Sequence, residues 1–295
     1  MEKKVFLITG ANAGIGKRAA EQLAQLNHEV IIVCRNLASG EEAAKNIQIS
    51  SNNPSVHVLK GDMSSQKSIH TLAAEVKSVF SRLDGLIHNA ANFDLSMKKP
   101  ILTEDGVETI FATNHLGPFL LTNLLLDLLN KSTGRVITIA SKGLLAYPRL
   151  KIEFDNLNGE RKFSPAHAYY HSKMAQLMFT YYAAELYKDM GITFNCIRVP
   201  SVKVDEGRHE NVPLLLRQAY KLKRKLALSP EEMAKTYVYL ATSEQVSDIT
   251  GEYFDENQTI VSSSKLSYDK ESWEKLWNVS NRLTHIKNRE VTMGR

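Results

Sequence analysis

The stretch Thr9-Gly10-Ala11-Asn12-Ala13-Gly14-Ile15-Gly16 follows directly on an apolar run, Val5-Phe6-Leu7-Ile8, and leads into a helical pattern from Lys17 to Asn27. A strand that breaks into glycines and then opens a helix presents bare backbone N–H groups, at the positive end of that helix, to a phosphate. A second apolar run, Val30 to Val33, completes the βαβ context in which such a turn takes a dinucleotide.

Beyond this unit, short β-rich runs alternate with longer helical patterns along the whole chain. Strands are expected near 4–9, 29–34, 55–60, 84–88, 134–140, 192–198 and 252–254. Helices are expected near 14–27, 38–51, 65–81, 103–130 (in two pieces), 165–190, 208–228, 230–243 and 269–283. Alternation of this kind, with right-handed crossovers, predicts an α/β fold: a doubly wound, Rossmann-type parallel sheet of about seven strands with helices on both faces. No repeat or Pro/Gly-rich linker divides residues 1–295, so a single domain is expected, with the cofactor at the carboxyl ends of the strands.

The 295 residues are 43% hydrophobic and 23% charged, the balance of an ordinary globular protein large enough to bury a substantial core. A net charge of +5 without a basic stripe interleaved with aromatics argues against nucleic acid as a partner. The two cysteines, Cys34 and Cys196, allow no metal-ligand spacing and no disulfide framework, so no metal is expected and the cytoplasm is the expected compartment. The first strand begins within a few residues of Met1, leaving no room for a leader. The richest apolar stretch, Leu116 to Leu129, is interrupted by Asn123 and Asp127, so no transmembrane segment is expected.

Tyr169-Tyr170-His171-Ser172-Lys173 lies within a helical pattern, which puts Tyr169 and Lys173 on one face. A cation there favours phenolate and lowers the tyrosine pKa toward neutrality, as a general acid or base for a carbonyl or an alcohol requires. Ile137-Thr138-Ile139-Ala140-Ser141 reads as a buried strand whose terminal serine can hydrogen-bond the reacting oxygen. Asn114, in Thr113-Asn114-His115-Leu116-Gly117, is placed to hold a water in a proton relay. Arg35 occupies the position after the second strand where an acidic residue would select NAD, and it can pair with a 2′-phosphate instead, which points to NADP(H). Asp62 and Met63 end the third strand, where a carboxylate can accept from adenine, and Asn89-Ala90-Ala91 end the fourth, where small residues admit a ribose. His115, His167 and His171 read as packing or surface residues.

These motifs, in this order, resemble the short-chain dehydrogenase/reductase superfamily over nearly the whole chain. The glycine spacing is similar to the single-domain branch, not to that of epimerases and dehydratases. Thr9 to Lys17, Phe111 to Thr122, Ala168 to Lys173, Gly251-Glu252-Tyr253-Phe254 and the Trp277 helix resemble the retinol-dehydrogenase-like group. The resemblance implies a catalytic tetrad of Asn114, Ser141, Tyr169 and Lys173. It also implies cofactor contacts from Gly10, Asn12, Gly14, Ile15, Gly16, Arg35, Asp62, Met63, Asn89, Ala90, Tyr169, Lys173 and Pro200. The implied activity is NADP(H)-dependent interconversion of a carbonyl and an alcohol on a lipophilic small molecule.

The chain departs from the family pattern in two places. Ala91 replaces a glycine, and Pro200-Ser201-Val202-Lys203-Val204-Asp205 lacks the glycine and threonine that usually follow the proline, which bears on the nicotinamide clamp. The second departure favours a rival reading, a catalytically retired NADP-binding sensor or scaffold; the intact tetrad opposes it. A segment from Lys151 to Ser164 is expected to line the substrate pocket. Residues 203–228, basic and amphipathic, are expected to form a substrate lid rather than a membrane-surface helix, and 265–295 a helical tail. Phe119, Leu120, Leu121, Leu124, Leu125, Leu126, Leu128 and Leu129 exceed one core-facing stripe, so an exposed apolar face and a homodimer or homotetramer are expected.

Overall fold

The computed structural model describes residues 2–203 and 227–286. Seven strands, β1 (Val5–Thr9), β2 (Glu29–Cys34), β3 (Val56–Lys60), β4 (Gly85–His88), β5 (Arg135–Ser141), β6 (Thr193–Val199) and β7 (Glu252–Phe254), form one sheet in the order β3-β2-β1-β4-β5-β6-β7. Every pairing is parallel. The order reverses between β1 and β4, which opens a crevice at their carboxyl ends, the place where a doubly wound sheet binds its ligand.

Alternate residues of each strand feed opposite faces. Leu7, Ile31, Leu86, Val136 and Phe194 pack under α3 (Gln66–Val79), α5 (Gly117–Asn130) and part of α6 (Pro165–Leu186). Phe6, Ile8, Ile32, Ile87, Ile137 and Ile197 pack under α1 (Gly14–Gln25), α2 (Leu37–Ser51) and α7 (Pro230–Thr242). Helix starts are chemically marked. The Asn36 side chain accepts from Ser39 N at α2, and Ser229 with Glu232 forms a reciprocal capping box at α7.

The expected helix over 103–130 starts later than its pattern suggested. Residues 103–108 form a turn closed by the Leu102–Glu108 bridge. A buried Glu108 then caps Ile110 N and Phe111 N with its carboxylate, starting the short α4 (Thr109–Phe111). Between α4 and α5 the chain runs as a π-helix, Ala112–Leu116. The cause is in the sequence: Pro118 has no N–H for the carbonyl four residues back, that of Asn114, so regular α-helical bonding cannot pass this point.

The expected exposed apolar face is corrected. Phe119, Leu120, Leu121, Leu125, Leu126, Leu128 and Leu129 are all buried within the chain. Part of the cover is α8 (Lys270–Leu283), whose Trp277 meets Phe119 edge-on at 4.8 Å and stacks at 5.9 Å on Phe179 of α6. The patch on which an oligomer was argued is therefore internal. The expected lid falls on 204–226, outside the described residues; its two ends meet at a bridge between Val202 and Leu228. Among the described residues no helix is long and apolar enough to cross a membrane.

Candidate active site

The glycine turn is clamped by the end of β4. Asn89 Nδ2 donates to the carbonyls of both Thr9 and Gly10, each at 3.0 Å, and Ala90 N donates to Thr9 Oγ1 at 3.0 Å. Gly10 and Gly14 sit at φ +65° and +58°. A Cβ on Gly10 would lie 2.9 Å from the Ala90 Cα, and one on Gly16 would collide with the Asn89 amide. No side chain caps the start of α1 and its first turn holds no acid, so its N–H groups keep their positive field for an anion. A bare backbone cradle of this shape fits the pyrophosphate of a dinucleotide. Asn12 reaches from the turn to Ser39 in the first turn of α2, with Nδ2 donating to its Oγ at 3.2 Å, so the turn and the exposed Arg35 border one surface.

At the other expected cofactor positions the geometry is mixed. Asp62 Oδ1 is engaged locally, accepting from Ser64 N and Ser64 Oγ. The Met63 side chain is buried in the core. Ile15 packs partly against the core, and Pro200 lies just beyond β6.

Ser141 ends β5 and Tyr169 lies in the first turns of α6, and the Ser141 hydroxyl is near enough to the Tyr169 hydroxyl to pull its pKa down. Ser141 Oγ is oriented by accepting from Gly143 N at 3.1 Å, which leaves its own proton to point at a neighbouring oxygen. Lys173, fully buried, sits with Nζ 5.7 Å from the centre of the Tyr169 ring and donates to Ile139 O at 2.7 Å. Asn114 is also buried and lies in the π-helix. Its Oδ1 accepts from Asn92 N at 2.7 Å, while its Nδ2 donates to Asn92 O at 3.0 Å and to Ser172 Oγ at 2.9 Å. Ser172 Oγ in turn donates to Tyr169 O at 2.7 Å. The four expected catalytic residues therefore converge, from a π-helix, a strand end and one face of α6.

The Asn114 amide ties the loop after β4 to α6 through these three bonds. One expectation about the set is corrected: Tyr169 is not lowered toward neutrality as the spacing suggested. Burial pushes the Tyr169 hydroxyl up to about 12, with Tyr170 adding to the rise and only the Ser141 hydrogen bond opposing it. The same burial lowers Lys173 to about 8. Of the segment expected to line the substrate pocket, Asn156, Leu157, Gly159, Lys162 and Phe163 border a cleft with Glu108 and the stacked His167 and His171.

Three neighbours were not legible beforehand. Phe93 lies against the Tyr169 ring, the Tyr237 hydroxyl of α7 reaches Asn89 Oδ1 at 3.4 Å, and Gln176 lies buried one turn beyond Lys173. Only Gln176 left a signal, as a polar residue three positions from Lys173 on the face that carries Tyr169.

Residues 4–151 match the family model for short chain dehydrogenases. The chain is 35% identical to human (Homo sapiens) retinol dehydrogenase 14, over 95% of this chain and 86% of that protein. It is 37% identical to retinol dehydrogenase 12 of Mus musculus, over 96% and 87%. Among solved structures, a short chain dehydrogenase from Shigella flexneri 2a complexed with NADP superimposes with a TM-score of 0.67 at 23% identity, covering 87% of this chain and 98% of that one, a likeness of fold. A glycine cradle and a converging Asn-Ser-Tyr-Lys set thus coincide with 35–37% identity over about 95% of the chain, and the chain belongs to the short chain dehydrogenase/reductase family of oxidoreductases, in its retinol-dehydrogenase-like branch.

Proposed function

We propose that the protein interconverts a carbonyl and an alcohol on a lipophilic small molecule with NADP(H), Tyr169 moving the proton. The observation that carries this reading is the convergence of the Tyr169 and Ser141 hydroxyls, with the buried Lys173 ammonium beside them, at the strand ends next to the glycine cradle. Bound there, the nicotinamide supplies or accepts hydride. Ser141, its oxygen fixed by Gly143 N, orients the substrate oxygen. Tyr169, at about 12, is fully protonated at neutral pH, the form that donates to a carbonyl becoming an alkoxide. Lys173 sets its ammonium beneath the ring, 5.7 Å from the ring centre.

The choice of NADP(H) rests on Arg35 at the end of β2 and on the NADP held by the Shigella structure of the same fold. A lipophilic substrate is supported by the names of the relatives and by the exposed Phe93 and Leu145, which belong to the loops that follow β4 and β5. A single domain and a cytoplasmic setting, the latter resting on two buried free thiols, complete the reading. Consumption of NADPH with a panel of aliphatic, aromatic and polyene aldehydes and ketones tests it. Binding of NADPH without turnover of any of them would leave a cofactor-binding protein in place of an enzyme.

A further inference from the structure

The Asn114 carbonyl has no donor four residues on, because residue 118 is proline. It is buried, and a buried carbonyl needs a donor. The Gln176 side chain, 1% exposed, supplies one: with its amide turned so that nitrogen meets the two carbonyls facing it, Nε2 donates to Asn114 O at 2.9 Å and to Ile139 O at 3.2 Å. Ile139 O is the same atom that accepts from Lys173 Nζ at 2.7 Å. One amide thus joins the π-helix to β5 and shares an acceptor with the ammonium of the site.

We propose that Gln176 is a positioning residue of the active site, its amide bracing the Asn114 carbonyl against β5 and fixing the oxygen on which Lys173 is held. The inference rests on the catalytic reading for its effect on rate, but not for its effect on Lys173. Four features support it. Gln176 is buried and polar at a helix position where an apolar residue would pack. Its two acceptors come from the two elements flanking α6 at the site. It lies on the face of α6 that carries Tyr169 and Lys173. The bracing also answers a defect that this chain creates for itself with Pro118.

The arrangement has an electrostatic consequence. Two donors crowd one oxygen, so the positive end of the Gln176 amide dipole opposes the ammonium. The other titratable groups facing Lys173 are Tyr169 on its own helix and the Cys196 thiol on β6, with Tyr170 acting on Tyr169. No carboxylate is among them. Removing the amide relieves Lys173, and a carboxylate in its place attracts it.

The test is an NMR titration of the full-length protein labelled with 13C at lysine Cε, the Lys173 signal being identified by its loss in Lys173→Arg. Gln176→Met keeps the shape and removes the donor. It should raise the Lys173 midpoint by about half a unit or more, roughly threefold in its ionisation constant. Turnover of the best carbonyl should fall about tenfold with KM nearly unchanged. Gln176→Glu, which keeps size and can be read if Gln176→Met does not fold, should raise the midpoint by about one unit or more. An unmoved midpoint in the folded variants overturns the proposal, as does a moved midpoint with unchanged turnover. A moved midpoint in a protein that reduces no carbonyl would keep the bracing and sink the oxidoreductase reading. An active enzyme with an unmoved midpoint would do the reverse.

Discussion

The ring of Phe93 lies 4.2 Å from that of Tyr169, centre to centre and tilted by 43°, while 48% of the Phe93 surface remains exposed. On the proposed mechanism, an apolar ring placed over Tyr169 and exposed on its other side is a wall for whatever carbonyl approaches. Aromatic pairs of this geometry are worth about 0.5–1.5 kcal/mol beyond area burial. Phe93→Ala should therefore lower kcat/KM for aromatic and polyene aldehydes by about tenfold and change that for short aliphatic aldehydes by less than about twofold. Steady-state kinetics on matched aldehydes checks this, and an equal loss for both classes would mean that the ring only supports Tyr169.

Replacing the donor itself should be far more costly. Tyr169→Phe is expected to reduce turnover by about 100- to 10,000-fold, the usual worth of a general acid, and to leave the NADPH dissociation constant within about twofold. Retention of more than about a tenth of the wild-type rate would place the proton donor elsewhere.

On the proposed function, cofactor choice is carried by Arg35. A desolvated, charge-assisted pair with a 2′-phosphate is worth about 1.5–3 kcal/mol, or roughly 10- to 150-fold in affinity. Arg35→Ala should weaken NADPH by that factor and leave NADH unchanged. Fluorescence titration of both cofactors reads it directly, and equal affinities in the wild type would remove the argument.

Acid should weaken the fold through two buried histidines. His88 and His115 are desolvated until each titrates at about 3. Each makes one side-chain hydrogen bond, to Thr122 and Ser280 respectively. In the unfolded chain they titrate near 6.5, so between these values the unfolded state binds protons that the folded state refuses. Stability is then complete above about pH 6.5 and falls by about 1.4 kcal/mol per histidine for each pH unit below it. Urea midpoints measured from pH 7 to pH 4.5 should show this slope, shallower in His115→Gln.

The sheet was readable because its strands are short apolar runs separated by glycines and caps, and those signals are local. The glycine turn and the Tyr169–Lys173 spacing both report on neighbours within a few residues. What sequence could not supply were consequences of distant packing. The eight apolar positions of 119–129 look like an interface until Trp277, far along the chain, is seen to lie on Phe119. A cation four residues from a tyrosine suggests a lowered pKa, but the low dielectric around both groups reverses that outcome. Pro118 was visible and its missing N–H predictable; that Gln176 would meet the stranded carbonyl depended on how α6 lies against β5.

The placement of α8 also dictates an order of events during synthesis. Trp277, and Ser280 with its bond to His115, close over α5 about 140 residues after that helix has left the ribosome. Until then the leucine-rich surface of α5 and the aromatic rings of α6 lack this cover, and the π-helix that carries Asn114 lacks its outer anchor. A nascent chain stalled before residue 270 would present that uncovered surface to its surroundings, so premature termination should yield aggregation or chaperone capture, not a shorter working enzyme.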